Sequence, residues 1–149
     1  MSKLPVGIVM AQIKQLQGRI IEKILKEEKC LEKVNGAQLN ILYQLWNQDN
    51  ITISELSKET LLANTTLTTM LDRLEAQGLI LRCRNTENRR EIRIKLTDTS
   101  KSMKLHTADI LKTMHSINFN DFTPEEEEQM YIYLERMKKN LEAYSYHHK

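Results

Sequence analysis

Chain breakers are scarce in this sequence: four glycines (Gly7, Gly18, Gly36 and Gly78) and two prolines (Pro5 and Pro124) punctuate 149 residues. Long helices joined by short loops are what such a chain forms most readily. From Val6 the apolar positions Met10, Ile13, Leu16, Ile20 and Ile24 recur at helical spacing, giving a first helix that ends near the 29–33 loop. Asn35 and Gln38 make a capping-box pair for a second helix that buries Leu39, Leu42, Leu45 and Trp46. Thr52 and Glu55 repeat that signal before a short helix ending around Thr60. After the turn Leu61-Leu62-Ala63, Asn64 is the expected N-cap of a helix carrying Leu67, Met70, Leu71 and Leu74. Gly78 is placed to end that helix in the left-handed conformation.

The period then changes from helical to alternating. Leu79, Leu81 and Cys83 alternate with Ile80, Arg82 and Arg84, and Ile92, Ile94 and Leu96 alternate with Glu91, Arg93 and Lys95. Two strands and a polar connection make a β-hairpin, with Cys83 expected as a buried thiol on the apolar side beside Leu79 and Leu81. The tip, 85–90, is longer than a two-residue turn and reads as a mobile loop. One further helix starts near Asp98 and repeats apolar residues at Met103, Ile110, Met114 and Ile117. The last opens with Thr123 as cap, Pro124 at its first position, and acids where the helix dipole is positive. Its apolar residues Met130, Leu134, Met137, Leu141 and Tyr144 are spaced four, three, four and three, a heptad seam.

Helix, short turn, helix and two-stranded ribbon describe a winged helix-turn-helix. The expected fold is mainly α with a small β-hairpin wing, flanked by N- and C-terminal helices. In that architecture the second helix enters the major groove of DNA and the ribbon reaches the flanking backbone or minor groove. Two features favour double-stranded DNA as the partner. The outward face of the 64–77 helix reads Asn64, Thr65, Thr66, Thr68, Thr69, Asp72 and Arg73. Threonine costs up to ~0.7 kcal/mol in a helix relative to alanine, and a face meant only for water would use Glu, Lys or Ala. Small hydroxyl side chains let a helix approach base edges, and the threonine methyl can touch a thymine methyl. The ribbon is the second feature. Arg82, Arg84, Arg89, Arg90, Arg93 and Lys95 face only Glu87 and Glu91, a net +4 within fourteen residues of a chain whose total is +2. A charge run is usually a solvated face. Beside a helix-turn-helix, arginines such as Arg84, Arg89 and Arg90 instead suit phosphates and a narrow minor groove.

The run Leu74-Glu75-x-x-Gly78-Leu79-Ile80-x-Arg82, then Asn88-Arg89-Arg90 and Leu96-Thr97, resembles the wing signature of the multiple-antibiotic-resistance regulator (MarR) family. Gln38-x-x-Ile41-Leu42 is similar to that family's second helix, and Leu56 and Leu67 through Leu74 fall on its helix-turn-helix core. The resemblance covers roughly residues 6 to 145 of a single domain, 1–149, with the winged lobe at 35–97 and dimerisation helices at 6–30 and 98–145. It implies a homodimer that places two winged lobes on a palindromic operator, most simply as a ligand-responsive repressor. Arg90 matches the family's wing arginine. The usual aspartate two residues earlier is Asn88, which can hydrogen-bond but forms no salt bridge, and the common basic residue of the recognition helix is Thr69. A small-molecule effector is likewise implied by the resemblance, in a pocket between lobe and dimer helices near Tyr43, Trp46 and His106.

Other functions find less support in the residues. Nothing suggests catalysis, a cofactor or a metal. His106 and His115 lie nine apart, on opposite faces of a helix at about 100° per residue. Cys30 and Cys83 match no disulfide framework or zinc spacing, so a reduced, cytoplasmic setting is expected. No apolar run approaches the ~20 residues of a membrane span, and Gln12, Lys14 and Gln15 interrupt any leader-like stretch after Lys3. Two alternatives stand beside the DNA-binding reading. One is a redox-sensing regulator through Cys30, which Lys29 and Lys33 would favour as a thiolate. The other is a winged-helix module that binds protein, which an acidic wing and a featureless recognition helix would have favoured. The heptad seam packs either within one chain or across a dimer. A winged helix of under ~100 residues leaves the flanking helices in need of a partner surface, which favours the dimer.

Overall fold

A computed structural model describes residues 3–29, 31–88 and 90–148; Cys30 and Arg89 lie outside the described residues. The elements in order are α1 (Val6–Glu27), α2 (Gly36–Asn47), β1 (Ile51–Thr52), α3 (Ile53–Thr60), α4 (Asn64–Ala76), β2 (Ile80–Arg84), β3 (Ile92–Leu96), α5 (Asp98–Ser102), α6 (Lys104–Asn118) and α7 (Pro124–His147). The chain divides into two units, residues 1–111 and 112–149.

The core lies in the first unit. Leu39, Ile41, Leu42 and Leu45 of α2, Leu56 of α3, Leu67, Leu71 and Leu74 of α4, and Ile80 and Ile94 of the sheet are all essentially inaccessible. Leu25, Leu31, Val34, Met103 and Ile110 join the same cluster, which Trp46 flanks from a partly buried position. The Trp46 indole N–H donates to the Ser100 carbonyl at 3.0 Å, tying α2 to α5. The N-terminal half of α1 contributes little: Leu25 is its one buried residue, while Val6, Ile8, Ile13 and Leu16 are exposed.

Local signals explain where the elements begin and end. The Asn35–Gln38 capping box forms in full, the Asn35 carboxamide oxygen accepting from Gln38 N at 2.8 Å and Gln38 Oε1 accepting from Asn35 N at 3.1 Å. At α3 only the first half forms, with the Thr52 hydroxyl accepting from Glu55 N. Gly78 has φ +75°. There the Leu79 amide reaches the Leu74 carbonyl and the Gly78 amide reaches Glu75, a Schellman ending. Its hydrophobic closure is Leu79 on Leu74, both buried. The expected helix from Asp98 is divided: Thr97 caps α5 through Ser100 N, and α6 starts anew at Lys104.

The sheet has three strands in the order β1-β3-β2, all antiparallel. The hairpin therefore gains a short strand that sequence pattern did not reveal: Ile51 pairs with Ile94 and Thr52 with Arg93. The inward phase of β2 is also the reverse of the expected one. Ile80 is fully buried and Leu81 is 51% exposed, so Cys83 shares the outer face with Leu81 rather than lying in the core. Register explains this, because Ile80, Arg82 and Arg84 stand opposite Leu96, Ile94 and Ile92, the inward residues of β3.

In the second unit, α7 carries a complete capping box between Thr123 and Glu126, with Pro124 at its start and three acids in its first turn. None of its 24 residues is buried. Met130, Leu134, Leu141 and Tyr144 of the heptad seam are exposed. His115 Nε2 lies 3.1 Å from Glu127 Oε2 and its ring is 4.9 Å from Phe119.

Candidate nucleic-acid interface

α4 owes its orientation to three leucines. Leu67, Leu71 and Leu74 sit at helical spacing and are fully buried, so the opposite face must point outward. That face carries Asn64, Thr65, Thr66, Thr68, Thr69, Asp72 and Arg73, all exposed. The expected cap is corrected by one position. Ala63 is the N-cap, with no side-chain cap bond, and Asn64 is the first helical residue. An N-terminus capped by its own side chain would have occupied Asn64. Here the buried leucines hold the helix, and Asn64 stays on the exposed face.

The threonines are not equivalent. The Thr68 hydroxyl donates to the Asn64 carbonyl at 2.7 Å and the Thr69 hydroxyl to the Thr65 carbonyl at 3.1 Å. Thr65 and Thr66 make no side-chain hydrogen bond among the described residues.

Arg82 joins α4 to the ribbon. Its guanidinium lies 2.8 Å from Asp72 Oδ1 and 3.0 Å from Glu75 Oε1, and donates to the Thr68 carbonyl at 3.3 Å. Thr68, Asp72 and Glu75 lie three or four residues apart on one edge of α4, so one arginine can reach all three. This offsets one of two carboxylate charges on an otherwise hydroxyl-rich surface. It also links β2 to α4. The arginine side chain is 20% exposed, but Asp72 and Glu75 are 64% and 42% exposed, so solvent screens the contact.

The ribbon's charge is thus less available than its count. Arg82 is committed to α4, and Arg93 bonds Glu91 at 2.8 Å and the Asn50 carbonyl at 2.9 Å. Arg84, Arg90 and Lys95 are exposed. The described part of the tip is bonded rather than loose. Asn85 Oδ1 accepts from Glu87 N at 3.0 Å, and Asn88 Oδ1 accepts from Arg90 N at 3.1 Å. Asn88 therefore supplies the backbone bond that an aspartate would make there. Arg90 lines a hollow with Thr52, Ser54 and Asn88, where the ribbon meets the start of α3.

Of the three residues expected around an effector pocket, Tyr43 lines a hollow, and Trp46 and His106 make other contacts. Tyr43 lines an apolar hollow of about 400 Å³ with Ile21, Leu39, Asn40 and Leu111. Trp46 is engaged with Ser100, and His106 Nδ1 lies 3.8 Å from Glu28. Sequence reading missed Leu111 and Ile21, whose helical spacing marks them only as core. Arg82 was counted among the ribbon's charges without its acidic partners, though the spacing of Asp72 and Glu75 on one helix edge was a usable signal.

A buried-leucine helix with a short preceding helix and an adjoining ribbon defines the class: a winged helix-turn-helix protein. The sequence profile of the MarR family matches residues 34–92. The organic hydroperoxide resistance transcriptional regulator of Bacillus subtilis is 36% identical over 86 residues, covering 56% of this chain and 58% of that protein. The transcriptional repressor MdtR of the same organism is 32% identical over 90 residues, covering 60% and 55%. Over residues 34–92 this chain is similar to the MarR family. It spans little more than half the length of these two relatives. Among solved structures, a mutant MarR of E. coli complexed with operator DNA superposes with a TM-score of 0.80 at 23% identity, covering 90% of this chain and 94% of that one. BpsR of Bordetella bronchiseptica, described for regulation of its DNA binding by 6-hydroxynicotinic acid, gives 0.80 at 19% identity, covering 90% and 93%. These two likenesses establish the fold. No helix among the described residues is long and apolar enough to cross a membrane.

Proposed function

We propose that this protein is a transcriptional regulator that binds double-stranded DNA as a homodimer, acting in the cytoplasm as a ligand-responsive repressor. The observation that carries the reading is the α4 face: seven exposed polar residues on a helix oriented by buried leucines and braced to a basic ribbon by Arg82. Thr65, Thr66, Thr68, Thr69 and Asn64 would meet base edges, Arg73 and Arg84 phosphates, and Arg90 the minor groove. Arg89, assigned to phosphate from sequence, lies outside the described residues. With no guanidinium in the middle of the reading row, selectivity would favour an A·T-rich imperfect palindrome with half-site centres ~10 base pairs apart.

The dimer is supported by α7, whose Leu141 and Tyr144 are 67% and 65% exposed, and by the bare apolar face of α1. Exposed apolar helix faces of this kind mark interaction sites, and two-fold symmetry in the protein would match a palindrome. An effector would enter the hollow beside Tyr43, apolar in lining and adjoining α2, which carries the winged lobe's core.

Selection from a random duplex library by the purified protein, followed by sequencing, tests the reading. A two-fold motif bound at nanomolar concentration supports it. Enrichment of no sequence at any salt concentration, with the protein folded, would overturn it.

A further inference from the structure

The hydroxyl geometry of α4 carries a statement about which base it reads. A carbonyl oxygen only accepts hydrogen bonds, so the contacts from Thr68 Oγ1 to Asn64 O and from Thr69 Oγ1 to Thr65 O place both hydroxyl protons inside the helix. What Thr68 and Thr69 offer outward is lone pairs and a methyl group. Arg82 holds the backbone of the same residue, its guanidinium bonding the Thr68 carbonyl and both acids beside it. Thr65 and Thr66, one turn nearer the start of the helix, have no such internal bond and keep the usual donor-or-acceptor ambiguity of a hydroxyl.

An acceptor-only hydroxyl discriminates in the major groove. Guanine presents two acceptors there, N7 and O6, and thymine presents O4, so each would meet a lone pair with a lone pair. Adenine N6 and cytosine N4 present amino donors. An A·T pair offers the adenine amine together with the thymine 5-methyl, matching the lone pairs and the methyl of one threonine. We propose that Thr68 and Thr69 are specificity-determining residues that read the exocyclic N6 amine of adenine, through hydroxyls whose protons are held by the helix backbone. This rests on the DNA-binding reading above and goes beyond it by naming the atom recognised and the atoms excluded.

The test uses the full chain and a duplex taken from the random-library selection. Each half-site adenine is replaced in turn by purine, which lacks only the N6 amine, and binding is read by fluorescence anisotropy. At one or two positions the wild type should lose about five-fold in affinity per substituted half-site, the value of one hydrogen bond. At those positions Thr68→Val or Thr69→Val, which keep the shape and delete the lone pairs, should abolish the difference between adenine and purine. Serine at the same residue should preserve it. Coupling of this pattern supports the assignment. Tight binding with no adenine coupled to either threonine, or coupling to a guanine instead, overturns the assignment and leaves DNA binding intact. Selection of no DNA overturns both.

Discussion

α4 and α7 are stabilised in opposite ways. α4 lacks a side-chain N-cap, has no acid in its first turn and carries four threonines, all of which weaken a helix by itself. It stands because Leu67, Leu71 and Leu74 are completely buried and Arg82 holds one edge. α7 has every local aid: a capping box, Pro124, three acids at its start and a Lys138–Glu142 pair at 4.0 Å. It buries nothing. Each helix leaves open the surface its proposed function needs. On the proposed reading, α4 gives up local stability to keep a hydroxyl face for DNA, and α7 has local stability to spare while its apolar face would take up a second copy.

The largest effect is expected at α7. Replacing Leu134 and Leu141 together with Glu would place four unpaired charges in a dimer interface, and sedimentation velocity at micromolar protein should find monomers. An intact dimer would show that the seam lies elsewhere and that α7's open face has another use.

Arg82→Ala tests the opposite helix. It leaves Asp72 and Glu75 facing each other beside the proposed DNA surface. We expect a stability loss of about 0.5–1 kcal/mol by urea unfolding and a fall in DNA affinity of about ten-fold, with the dimer unchanged. Unaltered affinity would mean that the bracing of α4 on the ribbon is not used in binding.

A smaller effect belongs to Arg90→Ala. Two positive charges are lost per dimer, so the slope of log K against log salt should flatten by ~2 units, with the largest loss of affinity on duplexes whose A·T-rich minor groove is narrow. An unchanged slope would place Arg90 away from the DNA. Smallest of all is Lys138→Ala, which removes an exposed pair on α7 and should cost under ~0.5 kcal/mol in thermal unfolding. A larger loss would show that α7 depends on its ion pairs more than its caps suggest.

Much of the fold was legible because its signals are local. The Asn35–Gln38 box, the Schellman ending at Gly78, the Thr123-Pro124 start and the leucine spacing of α4 each depend on residues within one turn of one another. Sequence placed the cap of α4 at Asn64 because asparagine is the better capping residue, yet the helix starts there and Ala63 takes the cap. The two-residue strand β1 was missed because two residues contain no alternation to detect. Among the candidate site residues, the α4 face was readable from its periodicity, whereas Tyr43, Trp46 and His106 were grouped by resemblance, and of the three only Tyr43 lines the apolar hollow.

The amino-acid sequence by itself determined the order of helices, the change of period that makes the ribbon, and the helix face that carries threonine. These follow from backbone propensities and spacing, which act over a few residues. Only the tertiary structure decided which side of β2 faces inward. Leu81 is the more apolar residue and would be the natural choice, but cross-strand register puts Arg82 opposite the buried Ile94, and Asp72 and Glu75 of α4 supply the charges that make its burial tolerable. Those carboxylates lie ten and seven positions back in the chain, on a different element. No periodicity within β2 could announce them, and only folding brings them to within 3.0 Å of the arginine they hold.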